Sequence, residues 1–479
     1  MHVIQVATEF AACVKVGGLA DVIFGLCREL KKNNEKVQIL LPKYSFMNLP
    51  PKISKAAPLS FYFDGKQRHA ELWEAEMDGL ELKLIDSKEY NYFKRKECYG
   101  YSDDVERFSF FCAAASRYIM ENNADLVHLH DWQTALVASL CKAHNHNIHT
   151  IFTIHNIEHQ GLCSPADLDR VGLVGKDYLK PDLLQDRYKH WDINLMKGAI
   201  VFADQINTVS PTYAFEVQTE EGGRGLDQTL RKFNDKFSGI LNGIDADYWN
   251  TQKDPFVRFS YKFNSLVEKK KNKRYLEQKL KMSESKMPMV ACIARLVPQK
   301  GVELIKHALY SCLEKGAQFI LLGSSPIESI EQEFKSLKEK FSTSPNIRIE
   351  TGYQEELAHE IFAASDIFIV PSIFEPCGLT QRIALKYGSI PVVRKTGGLA
   401  DTVFDLEYSE KDKIERNGFV FEHPTKEGLD FALDRAIDCY VKQASFWQEL
   451  VKRGMKIDSS WKKPALEYKR LYQLSSALV

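Results

Sequence analysis

Lys15-Val16-Gly17-Gly18-Leu19-Ala20-Asp21, near the start of the chain, returns with one change as Lys395-Thr396-Gly397-Gly398-Leu399-Ala400-Asp401 near its end. Each copy follows a short apolar run, Val3 to Ala7 in the first and Pro391 to Val393 in the second, and each opens a segment of helical character. A strand that runs into paired glycines and then a helix lets a backbone come close to something, and the first N–H groups of such a helix lack partners of their own. That arrangement favours anions. Gly-Gly also serves as an ordinary turn. The echo predicts two similar halves, and the rest of the chain has to decide between the two readings.

Outward from these copies, short β-rich runs alternate with helix-length segments. The first half carries Val37 to Leu41, Leu126 to Leu129, Thr150 to Ile154 and Gln205 to Val209. The second repeats the rhythm with Met289 to Ala294, Phe319 to Leu322, Ile347 to Glu350, Ile367 to Val370 and Ile390 to Val393. Repeated strand–helix units predict an α/β fold of two parallel, doubly wound sheets. The glycine-punctuated stretch Gly239 to Asp245 marks the joint. The expected domains are 1–240 and 241–457, with a last helix from about 458 to 479.

At 479 residues, 44% hydrophobic and 27% charged, the chain is long enough for two domains with buried cores. Its 64 basic and 64 acidic residues cancel, which excludes a global basic field for nucleic acid or anionic membrane. Any basic site is local. The ten cysteines form no CxxC pair, as in a reducing compartment. The start, Met1 to Val6, has neither a basic nor a long apolar leader region, and no apolar run approaches membrane-spanning length. A cytoplasmic protein is the expectation.

Three other features have plain readings. The lysine-dense segment Leu266 to Lys286 interleaves Glu268, Glu277 and Glu284 with Leu276 and Leu280 at helical spacing, which predicts a solvated helix. His144, His146 and His149 lack settled ligand spacing and read as a polar loop. Trp461, Tyr468, Leu471 and Tyr472 form an apolar helical stripe that has to pack somewhere.

Ligands of open parallel sheets bind beyond the carboxyl ends of the strands. Polar residues gather there: His130 and Asp131, His155 and Asn156, Ser210, Arg295 and Gly323 each follow one of the runs above. Lys15, Arg295 and Lys300 suit a pyrophosphate, because charge-assisted hydrogen bonds are the strong ones. Phe374-Glu375-Pro376-Cys377-Gly378-Leu379-Thr380 leads from a strand into a helix; it suits sugar hydroxyls through Glu375 and a phosphate through backbone N–H groups.

These residues resemble bacterial glycogen synthase and plant starch synthase. The resemblance is carried by Lys15 to Asp21, His130-Asp131-Trp132, Phe152 to Asn156, Asn207 to Pro211, Leu241 to Asp245, Arg295 to Gly301 and Phe374 to Thr380, in that order along the whole chain. It implies a retaining, two-Rossmann glycosyltransferase of the GT-B type that moves glucose from ADP-glucose to the non-reducing 4-OH of an α-1,4-glucan such as glycogen. Position by position, it implies Lys15, Arg295 and Lys300 as diphosphate ligands near Gly18, Gln299, Gly378 and the Leu379-Thr380 backbone. Tyr353 matches the base-stacking position. His155, Asn242, Glu375 and Cys377 match glucose contacts, and Asp131 a carboxylate near the transferring sugar.

Lys15, Asp131, His155, Arg295, Lys300 and Glu375 are thus the expected catalytic set. The diphosphate leaves as an anion, so fixed cations stabilise its departure and no acid has to protonate it. Neither metal nor pyridoxal phosphate is expected, since Lys and Arg can take a divalent ion's electrostatic role. Closure of the halves is expected to bring Lys15 to the donor.

Several positions depart from the family pattern. Ile373 replaces an arginine beside the donor, Ile383 a tyrosine, His159 a tyrosine, Ala11-Ala12-Cys13 a Pro-Phe-Ala, and Ser325-Pro326 a Gly-Asp. The loss at Ile373 bears on donor affinity and nucleotide preference. The rivals are the same reaction with UDP-glucose, a phosphorylase needing a pyridoxal-bearing lysine, a two-lobed sugar-binding protein, and an inactive glycan-binding homologue.

Overall fold

The computed structural model describes residues 1–352 and 354–476. The chain forms two compact units, Met1–Gly243 with the returning segment from Trp461, and Ile244–Ser460. The crossings therefore lie three residues later than the expected 240/241 and 457/458 boundaries. The reason is local: Ile240 N–H still bonds to the Thr208 carbonyl of the first sheet, whereas Ile244 N–H already bonds to Ser459 O at 2.8 Å.

The first unit is built on a ten-stranded sheet. Its parallel part runs Phe237–Gly239, Gln205–Thr208, His149–Ile154, Leu126–His130, His2–Val6, Lys36–Pro42 and Leu80–Asp86, in that spatial order. Val3 pairs with both Val37 and Leu126, and Val3, Ile4 and Val6 are fully buried. Helices cover both faces of such strands, which is why these strands read as unbroken apolar runs.

The remaining strands correct the expectation of a wholly parallel sheet. Lys66–Met77 pairs antiparallel with Leu80–Asp86, Leu59–Phe63 and Ile53–Lys55. The hairpin turns are Asp64-Gly65 (φ 53° and 72°) and Asp78-Gly79 (φ 52° and 73°). Left-handed values at both central residues make the turn whose twist matches that of the flanking strands.

The helix Lys462–Ser476 belongs to the first unit. It packs on the helix Gly18–Lys32 and the strand His149–Ile154, burying Trp461, Tyr468, Leu471 and Tyr472. Trp461 fills the space left by Gly25, where a Cβ would lie 1.9 Å from the indole nitrogen.

The second unit is a six-stranded parallel sheet ordered Ile347–Thr351, Gln318–Ser324, Met289–Arg295, Ile367–Val370, Ile390–Arg394 and Phe419–Phe421. The lysine-rich segment forms the helix Val267–Lys279, yet it is not simply solvated. Lys269, Asn272, Lys273, Leu276 and Glu277 are buried. The Lys269 ammonium donates to the carbonyls of Ala363 (3.1 Å), Ser365 (2.9 Å) and Tyr387 (2.9 Å). Those carbonyls end the helices Glu355–Ala364 and Thr380–Lys386, so one cation satisfies the negative ends of two helices.

Candidate active site

The two Gly-Gly-Leu-Ala-Asp copies do different work. A Cβ built on Gly17 or Gly18 would meet nothing within 4 Å. On Gly397 and Gly398 it would lie 2.0 Å from the carbonyl oxygens of Glu375 and Cys377 respectively. What the second pair lets approach is therefore the 375–377 loop, and Gly398 N–H donates to the Glu375 carbonyl at 3.1 Å. The first pair faces open space.

The loop ahead of the first copy's helix, Gly18–Lys32, is braced from within, while no side chain caps the helix start itself. Glu9 Oε2 accepts the N–H groups of Val16 (2.7 Å) and Gly17 (2.9 Å), and Glu9 Oε1 accepts the Tyr99 hydroxyl at 2.8 Å. A buried carboxylate thus shapes the loop that carries Lys15 and Gly18. Lys15 itself is 43% exposed and pairs with Asp21 at 2.7 Å. A pair this exposed is weak and can give way to a phosphate.

Asp131 and His155 follow neighbouring strands of the same sheet, Leu126–His130 and His149–Ile154. Asp131 has a left-handed φ of 57°, a costly value for a residue other than glycine, and stands at the N-cap of the helix Trp132–Ala143 without a side-chain bond to it. Its Oδ1 accepts the His155 N–H at 2.7 Å and the Asn156 N–H at 3.4 Å. Burial raises the Asp131 carboxyl to about 7, with the nearby Glu9 charge adding to the rise and the two backbone donors opposing it. Burial lowers the His155 imidazole to about 3, so this ring is neutral. His155 Nε2 lies 3.0 Å from His130 Nδ1.

In the second unit, Arg295 ends the strand Met289–Arg295 and is exposed; among the described residues no carboxylate pairs with it. Lys300 lies on the short turn Pro298–Lys300 after that strand. Its ammonium bonds both oxygens of Glu375, at 2.8 and 2.6 Å, and Ser372 Oγ donates to Glu375 Oε2 at 2.8 Å. Gly301 makes this possible: its φ is 70°, and a Cβ there would lie 2.2 Å from the Pro371 carbonyl oxygen. Gln299 fastens the same loop from the side, donating Nε2 to Phe374 O at 3.2 Å and accepting the Ile373 N–H at 2.8 Å.

Cys377 is buried, and Gly378 takes a φ of 70° before Leu379 and Thr380 begin the helix Thr380–Lys386. Among the described residues the N–H groups of Leu379 and Thr380 have no partner. Gln381 ties this loop to the second glycine copy, donating Nε2 to Gly378 O and to Thr402 Oγ1, each at 3.0 Å. Asn242 is buried at the end of the first unit, with its Oδ1 lacking a partner among the described residues. Tyr353 lies outside the described residues.

The structure thus brings Asp131 next to His155, and joins Lys300 to Glu375 beside Gln299. Sequence reasoning missed Glu9, Ser372 and Arg382. Arg382 is buried near Cys377, its Nη1 has no partner among the described residues, and burial lowers its guanidinium below the ordinary value. A signal existed for Arg382 in its place two residues into the helix that Leu379-Thr380 opens. None existed for Glu9, whose partners are two backbone N–H groups and the hydroxyl of distant Tyr99.

A family profile described as "Starch synthase catalytic domain" matches residues 2–232, and one described as "Glycosyl transferases group 1" matches residues 276–452. Glycogen synthase of Protochlamydia amoebophila is 43% identical, with 100% of each chain covered. The chain belongs to the glycogen synthase and starch synthase family. Glycogen synthase 1 of Nitrosococcus oceani is 40% identical over 98% of this chain and 99% of that one. The catalytic domain of starch synthase IV from Arabidopsis thaliana, solved bound to ADP and acarbose, superposes with a TM-score of 0.95 at 43% identity, covering 99% of both chains. As a member of this family the chain is a glucosyltransferase of the GT-B architecture, two Rossmann-like parallel-sheet units. Among the described residues no helix is long and apolar enough to cross a membrane.

Proposed function

We propose that the protein transfers glucose from ADP-glucose to the non-reducing 4-OH of an α-1,4-glucan, with retention at the anomeric carbon, as a cytoplasmic enzyme of glycogen synthesis. The observation that carries this reading is the Lys300–Glu375 pair, held beside Ser372, Gln299 and the open N–H groups of Leu379 and Thr380 in a chain of this family. A cation meets a sugar-binding carboxylate there, which suits the junction of phosphate and hexose.

In this mechanism Lys300, Arg295 and Lys15 bind the diphosphate, and the charge growing on it as the C1–O bond breaks strengthens those bonds most in the transition state. Glu375, Cys377, Asn242 and His155 hold the glucose, and Gly18, Gln299, Gly378, Leu379 and Thr380 shape the donor site. Tyr353 stacks on the base. Asp131, when ionised, stabilises the oxocarbenium-like carbon. The acceptor hydroxyl attacks from the face the diphosphate leaves, and the departing phosphate takes its proton. No metal or pyridoxal phosphate takes part, because the lysines and the arginine supply the positive charge.

The test is incorporation of labelled glucose into glycogen from ADP-glucose and, separately, UDP-glucose, in the presence of a chelator. ADP release matched to incorporation is the expected result. Exposed Ile373, where the family pattern has arginine, makes the UDP-glucose arm necessary. Faster transfer from UDP-glucose overturns the donor assignment, and no incorporation from either leaves a glycan-binding homologue. A glucosyl group trapped on Glu375 or Asp131 overturns the same-face mechanism.

A further inference from the structure

Beneath His155 a chain of buried polar side chains runs across the first unit to its last helix. Burial lowers the imidazoles of His128 and His130, like that of His155, so all three rings are neutral and each carries one N–H. Where that proton sits is decided by the neighbours.

Asn207 sets the direction. Its Nδ2 lies 3.4 Å from the Thr208 carbonyl oxygen, which can only accept, and 3.1 Å from the Tyr468 hydroxyl, so its Oδ1 faces Thr153. Thr153 Oγ1 donates its proton to that oxygen at 2.6 Å and therefore accepts from His128 Nε2–H, also at 2.6 Å. His128 Nδ1 is then bare and accepts the Tyr472 hydroxyl at 2.9 Å. The Tyr472 oxygen accepts Gln5 Nε2–H at 3.1 Å, which turns the Gln5 carbonyl oxygen to His130 Nε2–H at 2.7 Å. His130 Nδ1 accepts in turn from His155 Nε2–H at 3.0 Å. His155 Nδ1 is left as a lone-pair acceptor.

We propose that Gln5 and Tyr472 are positioning residues that hold His155 as its Nε2–H tautomer, so that the ring offers the donor's glucose an acceptor nitrogen and selects a hydroxyl that donates. The proposal rests on the reading of His155 as a glucose contact. It gives the last helix a part in sugar recognition: Tyr472, far along the sequence, fixes which sugar group His155 can receive. A hydroxyl replaced by fluorine, which cannot donate, is refused by such a nitrogen.

The tautomer is read directly by long-range proton–nitrogen NMR on the full chain with labelled histidine, the His155 signals being assigned by their loss in His155→Gln. The expected spectrum shows His155 Nε2 protonated and Nδ1 bare. In Gln5→Leu and Tyr472→Phe the second tautomer appears, and kcat for glucosyl transfer falls about tenfold, one lost hydrogen bond in the transition state, while ADP affinity holds. Tyr468→Phe removes a hydroxyl from the same helix but leaves Asn207 against the Thr208 carbonyl, so His155 keeps its tautomer. A protonated Nδ1 in the unaltered chain overturns the proposal, as does an unchanged tautomer in both Gln5→Leu and Tyr472→Phe. Absence of glucosyl transfer would instead strike the functional reading, since the spectrum is recorded without donor.

Discussion

Lys300 and Glu375 hold each other through two bonds, 2.8 and 2.6 Å long, across 75 residues of sequence. Glu375 is buried and its carboxylate also accepts the Ser372 hydroxyl, so the lysine both neutralises it and takes its direction from it. The same ammonium cannot be lost without leaving that carboxylate short of a charge partner.

Lys300→Gln keeps a donor for Glu375 and removes the positive charge. The expected outcome is a fall in kcat with ADP-glucose of about 10²-fold or more, roughly 3 kcal/mol of transition-state stabilisation, as for other preorganised donors. Denaturant unfolding should lose about 1.5–3 kcal/mol, the size of one charged hydrogen bond. An unaltered turnover removes Lys300 from the mechanism.

Asp131 should leave a mark on the pH profile. Its carboxyl is raised from 3.8 to about 7, so between those values the folded protein holds more protons than the unfolded chain. Stability from this group is therefore fully present below pH 3.8 and is lost as pH rises through about 7. Activity should run the other way, kcat/KM rising through about pH 7 as the carboxylate forms. Asp131→Asn should abolish both slopes, measured by melting and by initial rates; a rising limb that persists in the variant assigns the ionisation elsewhere.

How much of this could be read beforehand depends on which face of each element is covered. Strands such as Ile367–Val370 and Ile390–Arg394 are buried on both sides and stand out as apolar runs. Lys66–Met77 is half exposed, and its charged residues hid a strand that the Asp64-Gly65 and Asp78-Gly79 pairs do signal. The places of Asp131, His155 and Arg295 at strand ends were legible because a parallel sheet delivers strand ends to one edge. Ser372 and Glu9 were not, since a buried serine or glutamate looks like any other until its partners converge. The doubled Gly-Gly motif left both readings open at each copy, because sequence does not show whether the atoms approaching a glycine belong to a ligand or to the protein's own loop.

Lys269 offers a test of the buried cation in the second unit. Burial lowers its ammonium from 10.5 to about 7, the Asp366 charge opposing the drop and Lys273 adding to it. Between pH 7 and 10.5 the unfolded chain holds more protons, so stability from this group rises with pH across that window. Lys269→Met strands the Ala363, Ser365 and Tyr387 carbonyls and should lower the melting temperature. The rise in melting temperature from about pH 7.5 to about pH 10, by calorimetry, should be smaller in that variant. Equal rises would mean that Lys269 stays charged throughout.

The two glycine copies separate folding from binding. Gly398→Ala drives a methyl into the Cys377 backbone, whose carbonyl oxygen would be 2.0 Å away, and a backbone cannot swing aside as a side chain does. It should destabilise the second unit by about 1–3 kcal/mol or more, the cost of overpacking, and weaken ADP-glucose binding only through the displaced 375–377 loop. Gly18→Ala meets nothing within 4 Å in the protein itself. It should fold and melt like the parent, and improve helix propensity slightly, yet bind donor more weakly because the added methyl stands where the loop faces its ligand. Melting curves and ADP-glucose titrations on the two variants decide the matter: equal donor affinity in Gly18→Ala would remove the first copy from the donor site.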